Sequence, residues 1–165
     1  MHSNVVDGVC RALEAVGIAT LKFNFRGVGA SQGQYTGGVG EQDDARGALA
    51  YFSSYANPVG LAGYSFGSRI TMALATEGAV PAVAFVAPTN NTLADGAELA
   101  GFKGPKLFIS GARDHAVDHD QLRKFVDDLS DPKELHIVPD IDHFWWGAET
   151  LVGETVAGFF KKAVT

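Results

Sequence analysis

The sequence predicts an α/β protein, with a mainly parallel sheet of about five strands between two layers of helices. Three observations carry this expectation. Short apolar runs at 18–25, 59–63, 82–87, 106–110 and 134–138 alternate with longer segments of helical periodicity. Such alternation folds into parallel strands covered on both faces. Glycine supplies 20 of the 165 residues, as a chain with many tight turns requires, and apolar residues make up 46%. That is enough for one core, so residues 1–165 read as a single domain.

The elements follow in order. Ser3 or Asn4 caps a helix over 5–16. Its stripe is Val5, Val6, Val9, Cys10, Leu13 and Val16, and Gly17 ends it. Cys10 is the only cysteine; it cannot form an internal disulfide and reads as a small core residue. In 18–25, Leu21, Phe23 and Phe25 fall on one side and Lys22 and Asn24 on the other, which predicts a strand. A glycine-rich loop reaches to about residue 40. The helix over 42–55 carries Asp43 and Asp44 in its first turn and turns Ala45, Ala48, Leu49 and Phe52 inward. A buried strand at 59–63 and a helix at 68–76 enclose a sharp turn. The strand at 82–87 leads into 89–104, which is polar and irregular, with one helical turn near 94–99, and too short for a cap domain. The strand at 106–110, the helix at 118–129, the strand at 134–138 and the helix at 147–163 complete the chain.

Several function classes drop out. The formal net charge is −6 and no basic cluster stands out, which argues against nucleic-acid or anionic-membrane binding. Nothing resembles a signal peptide or a membrane-spanning run, so the expected compartment is the cytoplasm. His115, Asp118 and His119 have a spacing suited to a metal but lack a further acid or thiolate; no metal is expected. Gly27-x-Gly29 resembles a dinucleotide loop, but Gln32 stands where the third glycine belongs, so no cofactor is expected.

The turn between the fourth and fifth elements carries the chemistry. Gly63-Tyr64-Ser65-Phe66-Gly67 places a serine between two glycines at a strand-to-helix corner. Such a corner exposes the hydroxyl at the C-terminal sheet edge, beside a helix N-terminus that favours developing negative charge. In a parallel sheet, functional side chains gather at that edge. Asp114 follows the strand at 106–110 and His143 follows the strand at 134–138. A histidine can take the serine proton while a carboxylate fixes the imidazole tautomer. Asp118, Asp140 and Asp142 are alternative acids. His2, His115, His119 and His136 are alternative bases, with His119 and His136 worse placed, at a helix start and inside a strand. Tyr64 and Phe66 flank the serine, and Thr89, Asn90 and Asn91 line the rim. Trp145 and Trp146 either wall a pocket or begin a helix as core residues.

Taken together, Phe23-Asn24-Phe25-Arg26-Gly27-Val28-Gly29-x-Ser31-x-Gly33, the Gly63–Gly67 turn, Ile109-Ser110-Gly111-x-x-Asp114 and Asp142-His143-Phe144 resemble the α/β-hydrolase superfamily. The pattern looks most like its small, lidless bacterial branch, related to dienelactone-hydrolase-like and short-chain carboxylesterase proteins. The resemblance implies Ser65 as nucleophile, Asp114 as acid, His143 as base and the Phe66 N–H as an oxyanion donor. It implies a serine hydrolase acting on small ester substrates through an acyl-enzyme. The alternatives are a small-peptide hydrolase with the same triad and a non-catalytic interaction module.

The family fold begins with three further strands, which this sequence lacks. The third lies between the strands matching 18–25 and 59–63, and its loop supplies the second oxyanion N–H. Its absence leaves a gap roughly 5 Å wide. Three accounts remain open: Met1 is an internal methionine of a longer protein, the 18–25 strand slides over to pair with 59–63, or a second copy covers the gap as a homodimer.

Overall fold

A computed structural model describes residues 3–78 and 80–164; Met1 and His2 lie outside the described residues. The elements are α1 (Asn4–Ala15), α2 (Val39–Ser53), β1 (Leu61–Tyr64), α3 (Phe66–Ala75), β2 (Val83–Val86), α4 (Asn90–Ala94), a short 3₁₀ turn (Ala97–Gly101), β3 (Lys106–Gly111), α5 (His119–Asp127), β4 (Lys133–Val138) and α6 (Glu149–Ala163). The strands run parallel in the order β1-β2-β3-β4.

Strand alternation builds the three layers. Ala84 and Val86 of β2 and Leu107 and Ile109 of β3 face α1 and α6. Val83, Phe85 and Phe108 face the other way, onto Met72 and Ala75 of α3 and Leu122 and Val126 of α5. Period-two side chains feed two cores at once, and β2 and β3 are buried along their whole length. Helix α2 packs outside α3 through Ala45.

The ends of the helices follow their sequences. The Ser3 hydroxyl accepts from Val6 N–H at the start of α1, and Asp118 accepts from the Asp120 and Gln121 N–H groups at the start of α5. Glu41, fully buried, closes the start of α2 by accepting from Thr36 N–H, the Thr36 hydroxyl and Gly38 N–H.

One expected strand is missing. The sheet has four strands rather than about five, because residues 18–25 join no ladder among the described residues. A strand exists only through its backbone pairing, and the segment has not slid across to β1. An apolar cavity of about 560 Å³ is lined on one side by this segment and on the other by β1. Phe23 and Phe25 instead turn their rings toward Ile70 and Leu74 of α3. Consequently β1 has the burial of an edge strand, with Ala62 exposed. Cys10, expected in the core, is half-buried and lines the same cavity.

Candidate active site

The corner after β1 is sharp in the way its sequence requires. Ser65 has φ 52° and ψ −111°, a conformation that a non-glycine residue holds only when its surroundings impose it. The constraints are visible. Ser65 N–H donates to Val86 O at 2.9 Å and Ser68 N–H to Ser65 O at 3.0 Å. The buried Ser68 hydroxyl reaches Gly63 O at 2.8 Å and Val86 O at 2.9 Å. A Cβ on Gly63 would lie 2.1 Å from Gly67 O, whereas one on Gly67 would meet nothing within 4 Å. Of the two glycines that flank the serine, only the first is sterically required.

Three loops bring their side chains to this corner. Ser65 Oγ lies 2.8 Å from His143 Nε2, and His143 Nδ1 lies 2.8 Å from Asp114 Oδ2. With Nδ1–H donating to the carboxylate, Nε2 is left as acceptor for the serine hydroxyl. The Asp114 side chain is fully buried and His143 is 20% exposed. The second Asp114 oxygen accepts from Ala116 N–H at 2.8 Å, which fixes the carboxylate.

Most of the competing residues are engaged elsewhere. Asp118 caps α5, Asp142 accepts from Phe144 N–H, and Asp140 pairs with Arg113. His119 approaches Gly111 O and the Ser110 hydroxyl, while His136 approaches Glu134. No group of three or more His, Cys, Asp or Glu suited to a metal occurs among the described residues.

The remaining expected site residues divide. Phe66 opens α3, so its N–H has no acceptor within that helix. Its ring packs edge-on against Phe25 and Tyr35. Tyr64 is half-buried and its hydroxyl donates to His143 O at 2.9 Å. Burial, reinforced by the charges of Asp114 and Asp142, pushes its ionisation above the ordinary phenol range. The Asn90 side-chain oxygen accepts from Asp118 N–H, tying α4 to the Asp114 loop. Of the two places open to Trp145, pocket wall or core, it takes the core, fully buried between α1 and α6, while Trp146 is exposed. A register of one residue separates the two indoles, and the loop's positive φ at Trp145, 59°, turns that one inward. Sequence reasoning missed Ser68, whose hydroxyl reaches the Gly63 and Val86 carbonyls, and Asn4, whose amide reaches the Phe144 carbonyl 140 positions away. No local pattern announces such contacts.

This fold and this trio place the protein among the serine-centred α/β proteins, and the comparisons specify the family. A family model described as an alpha/beta hydrolase domain matches residues 1–164; the chain belongs to that family. An uncharacterized protein, RP471, from Rickettsia prowazekii (strain Madrid E) is 32% identical over 157 residues, covering 88% of this chain and 66% of that protein. The chain thus spans slightly under two thirds of that relative's length. An alpha-beta serine hydrolase homologue from Coxiella burnetii superposes with a TM-score of 0.87 at 33% identity, covering 96% of this chain and 76% of the other. XC6422 from Xanthomonas campestris, described as a serine hydrolase without lid, gives 0.85 at 27% identity, with 99% and 75% covered.

Proposed function

We propose that the protein is a serine hydrolase that cleaves short-chain carboxylic esters through an acyl-enzyme on Ser65. The observation that carries this reading is the continuous hydrogen-bond chain from Ser65 through His143 to Asp114, built from three separate strand exits. The names of the Coxiella and Xanthomonas proteins agree with the reaction class.

The reaction balances with these groups alone. Ser65 Oγ attacks the acyl carbon as its proton passes to His143 Nε2. Asp114 stabilises the resulting imidazolium and keeps its orientation. The tetrahedral oxyanion faces the Phe66 N–H at the start of α3. The C–O bond to the alcohol then breaks, and His143 returns the proton to the departing oxygen. A water molecule repeats the sequence on the acyl-serine and releases the acid. The site, with no cap over it among the described residues, suits small or exposed esters. A cytoplasmic location agrees with a single, unpaired cysteine.

A chromogenic acetyl or butyryl ester tests the reading. Turnover is expected in the wild type and is absent in Ser65→Ala; equal turnover by that variant would refute it.

A second reading, a non-catalytic interaction module, has one observation in its favour. The groove lies beside β1 where the resemblance places a further strand and its second oxyanion donor. The catalytic reading expects turnover that is lost in Ser65→Ala, and the module expects none. We further propose that two copies associate across this groove. Light scattering should give the dimer mass; a monomer would remove that proposal.

A further inference from the structure

We propose that Tyr64 and Asn4 are positioning residues for His143. Their side chains hold the backbone carbonyls at and just after the imidazole, and so fix its approach to Ser65. The inference rests on the reading of Ser65, His143 and Asp114 as the catalytic trio.

The segment between β4 and α6 has no ladder of its own. Asp140 and Trp145 within it have φ of 61° and 59°, values that non-glycine residues keep only under external constraint. The constraints come from three separate parts of the fold. Arg113 N–H, after β3, donates to Ile141 O at 2.8 Å. The Tyr64 hydroxyl, at the end of β1, donates to His143 O at 2.9 Å. The Asn4 side-chain amide, in the first turn of α1, donates to Phe144 O at 2.8 Å and to Glu149 Oε1 at 3.2 Å.

Tyr64 is the pivotal member. It immediately precedes Ser65 in the chain and grips the residue whose imidazole Ser65 must meet. Its ring lies 5.8 Å from the His143 ring at an interplanar angle of 32°. The nucleophile and the base are therefore held to one another twice, once through Oγ···Nε2 and once through Tyr64. The hydroxyl is already committed to a carbonyl, which argues for positioning rather than substrate contact.

Tyr64→Phe removes the hydroxyl and leaves the ring. Kinetics on acetyl and butyryl chromogenic esters should show kcat reduced roughly tenfold with KM within about twofold, equally for both esters. Labelling of Ser65 by a fluorophosphonate should slow by the same factor. The downfield proton resonance of His143 Nδ1–H should broaden as its exchange with water accelerates. Asn4→Ala, at the exposed end of the same set of contacts, should show the same signature with smaller amplitude.

Wild-type kcat, labelling rate and resonance in both variants would overturn the proposal. So would a raised KM with unchanged kcat in Tyr64→Phe, which would make the phenol a substrate contact. A wild type that neither hydrolyses esters nor takes the label would count against the catalytic reading itself. The resonance in Tyr64→Phe would then decide the positioning role alone.

Discussion

At the scale of single residues, activity depends on His143 taking the Ser65 proton while Asp114 holds the imidazole in place. Asp114→Asn keeps the shape but offers Nδ1 an amide, which permits the wrong tautomer. A loss of about 10⁴ in kcat is expected from steady-state kinetics, with the fold intact by circular dichroism. The two glycines of the elbow separate sharply. Gly63→Ala forces a methyl to 2.1 Å from Gly67 O and should disrupt the corner, lowering both stability and activity. Gly67→Ala enters open space and should leave the fold intact. Denaturant melts of the two variants check this contrast. The meeting of these three side chains was legible in the sequence because each lies within a few residues of the end of an apolar strand, and strand exits converge in a parallel sheet. The fate of Trp145 was not legible, since two adjacent indoles differ only in which one the loop turns inward. Tyr64 was visible as a neighbour of the nucleophile, but its carbonyl partner is 79 positions away in the chain.

At the scale of elements, helix–helix contact is set by glycine. The most extensive helix pair is α1 with α6, and there Gly153 packs on Gly8: a Cβ on Gly153 would lie 2.6 Å from Gly8 O. Gly153→Ala should destabilise the protein by about 1–3 kcal/mol in urea unfolding, by overpacking. The loop after residue 25 is anchored to α2 by charge. Arg26 makes paired hydrogen bonds to Asp44, through Nε at 3.1 Å and Nη2 at 2.8 Å. Those bonds, followed by the Arg26 N–H, hold the Asp44 carboxyl below its ordinary range. Burial pushes the Glu41 carboxyl up, but the donors from Thr36 and Gly38 outweigh it and bring it below its ordinary range too. Both folded-state values lie below the unfolded ones, so both groups stabilise the fold above about pH 4 to 4.5. That contribution fades as the pH falls through the lower folded values. The Tm should therefore drop on acidification below about pH 4.5. Asp44→Asn should lower Tm near neutrality and make that drop shallower; a parallel curve would refute the assignment.

At the scale of the whole molecule, the four-stranded sheet is buried on both faces at β2 and β3, with β1 and β4 as its edge strands. The sequence pattern of 18–25 is that of a strand, and the structure leaves it unpaired because a strand needs a neighbour that pattern alone does not provide. The layers and the order of the longer helices were readable from periodicity; the short helix α4 (Asn90–Ala94) was not, because it lies in a polar stretch without an apolar repeat. The cavity between residues 18–25 and β1, which reaches Ser65, was readable only from the structure. Everything proposed about function reduces to whether the Ser65 hydroxyl is activated in this four-stranded setting. Reaction of the folded protein with a fluorophosphonate, followed by peptide mass spectrometry, measures that directly. The account predicts one adduct per chain, on Ser65, lost in Ser65→Ala and strongly slowed in His143→Ala. An unreactive folded protein, or an adduct on another serine that persists in Ser65→Ala, would contradict it.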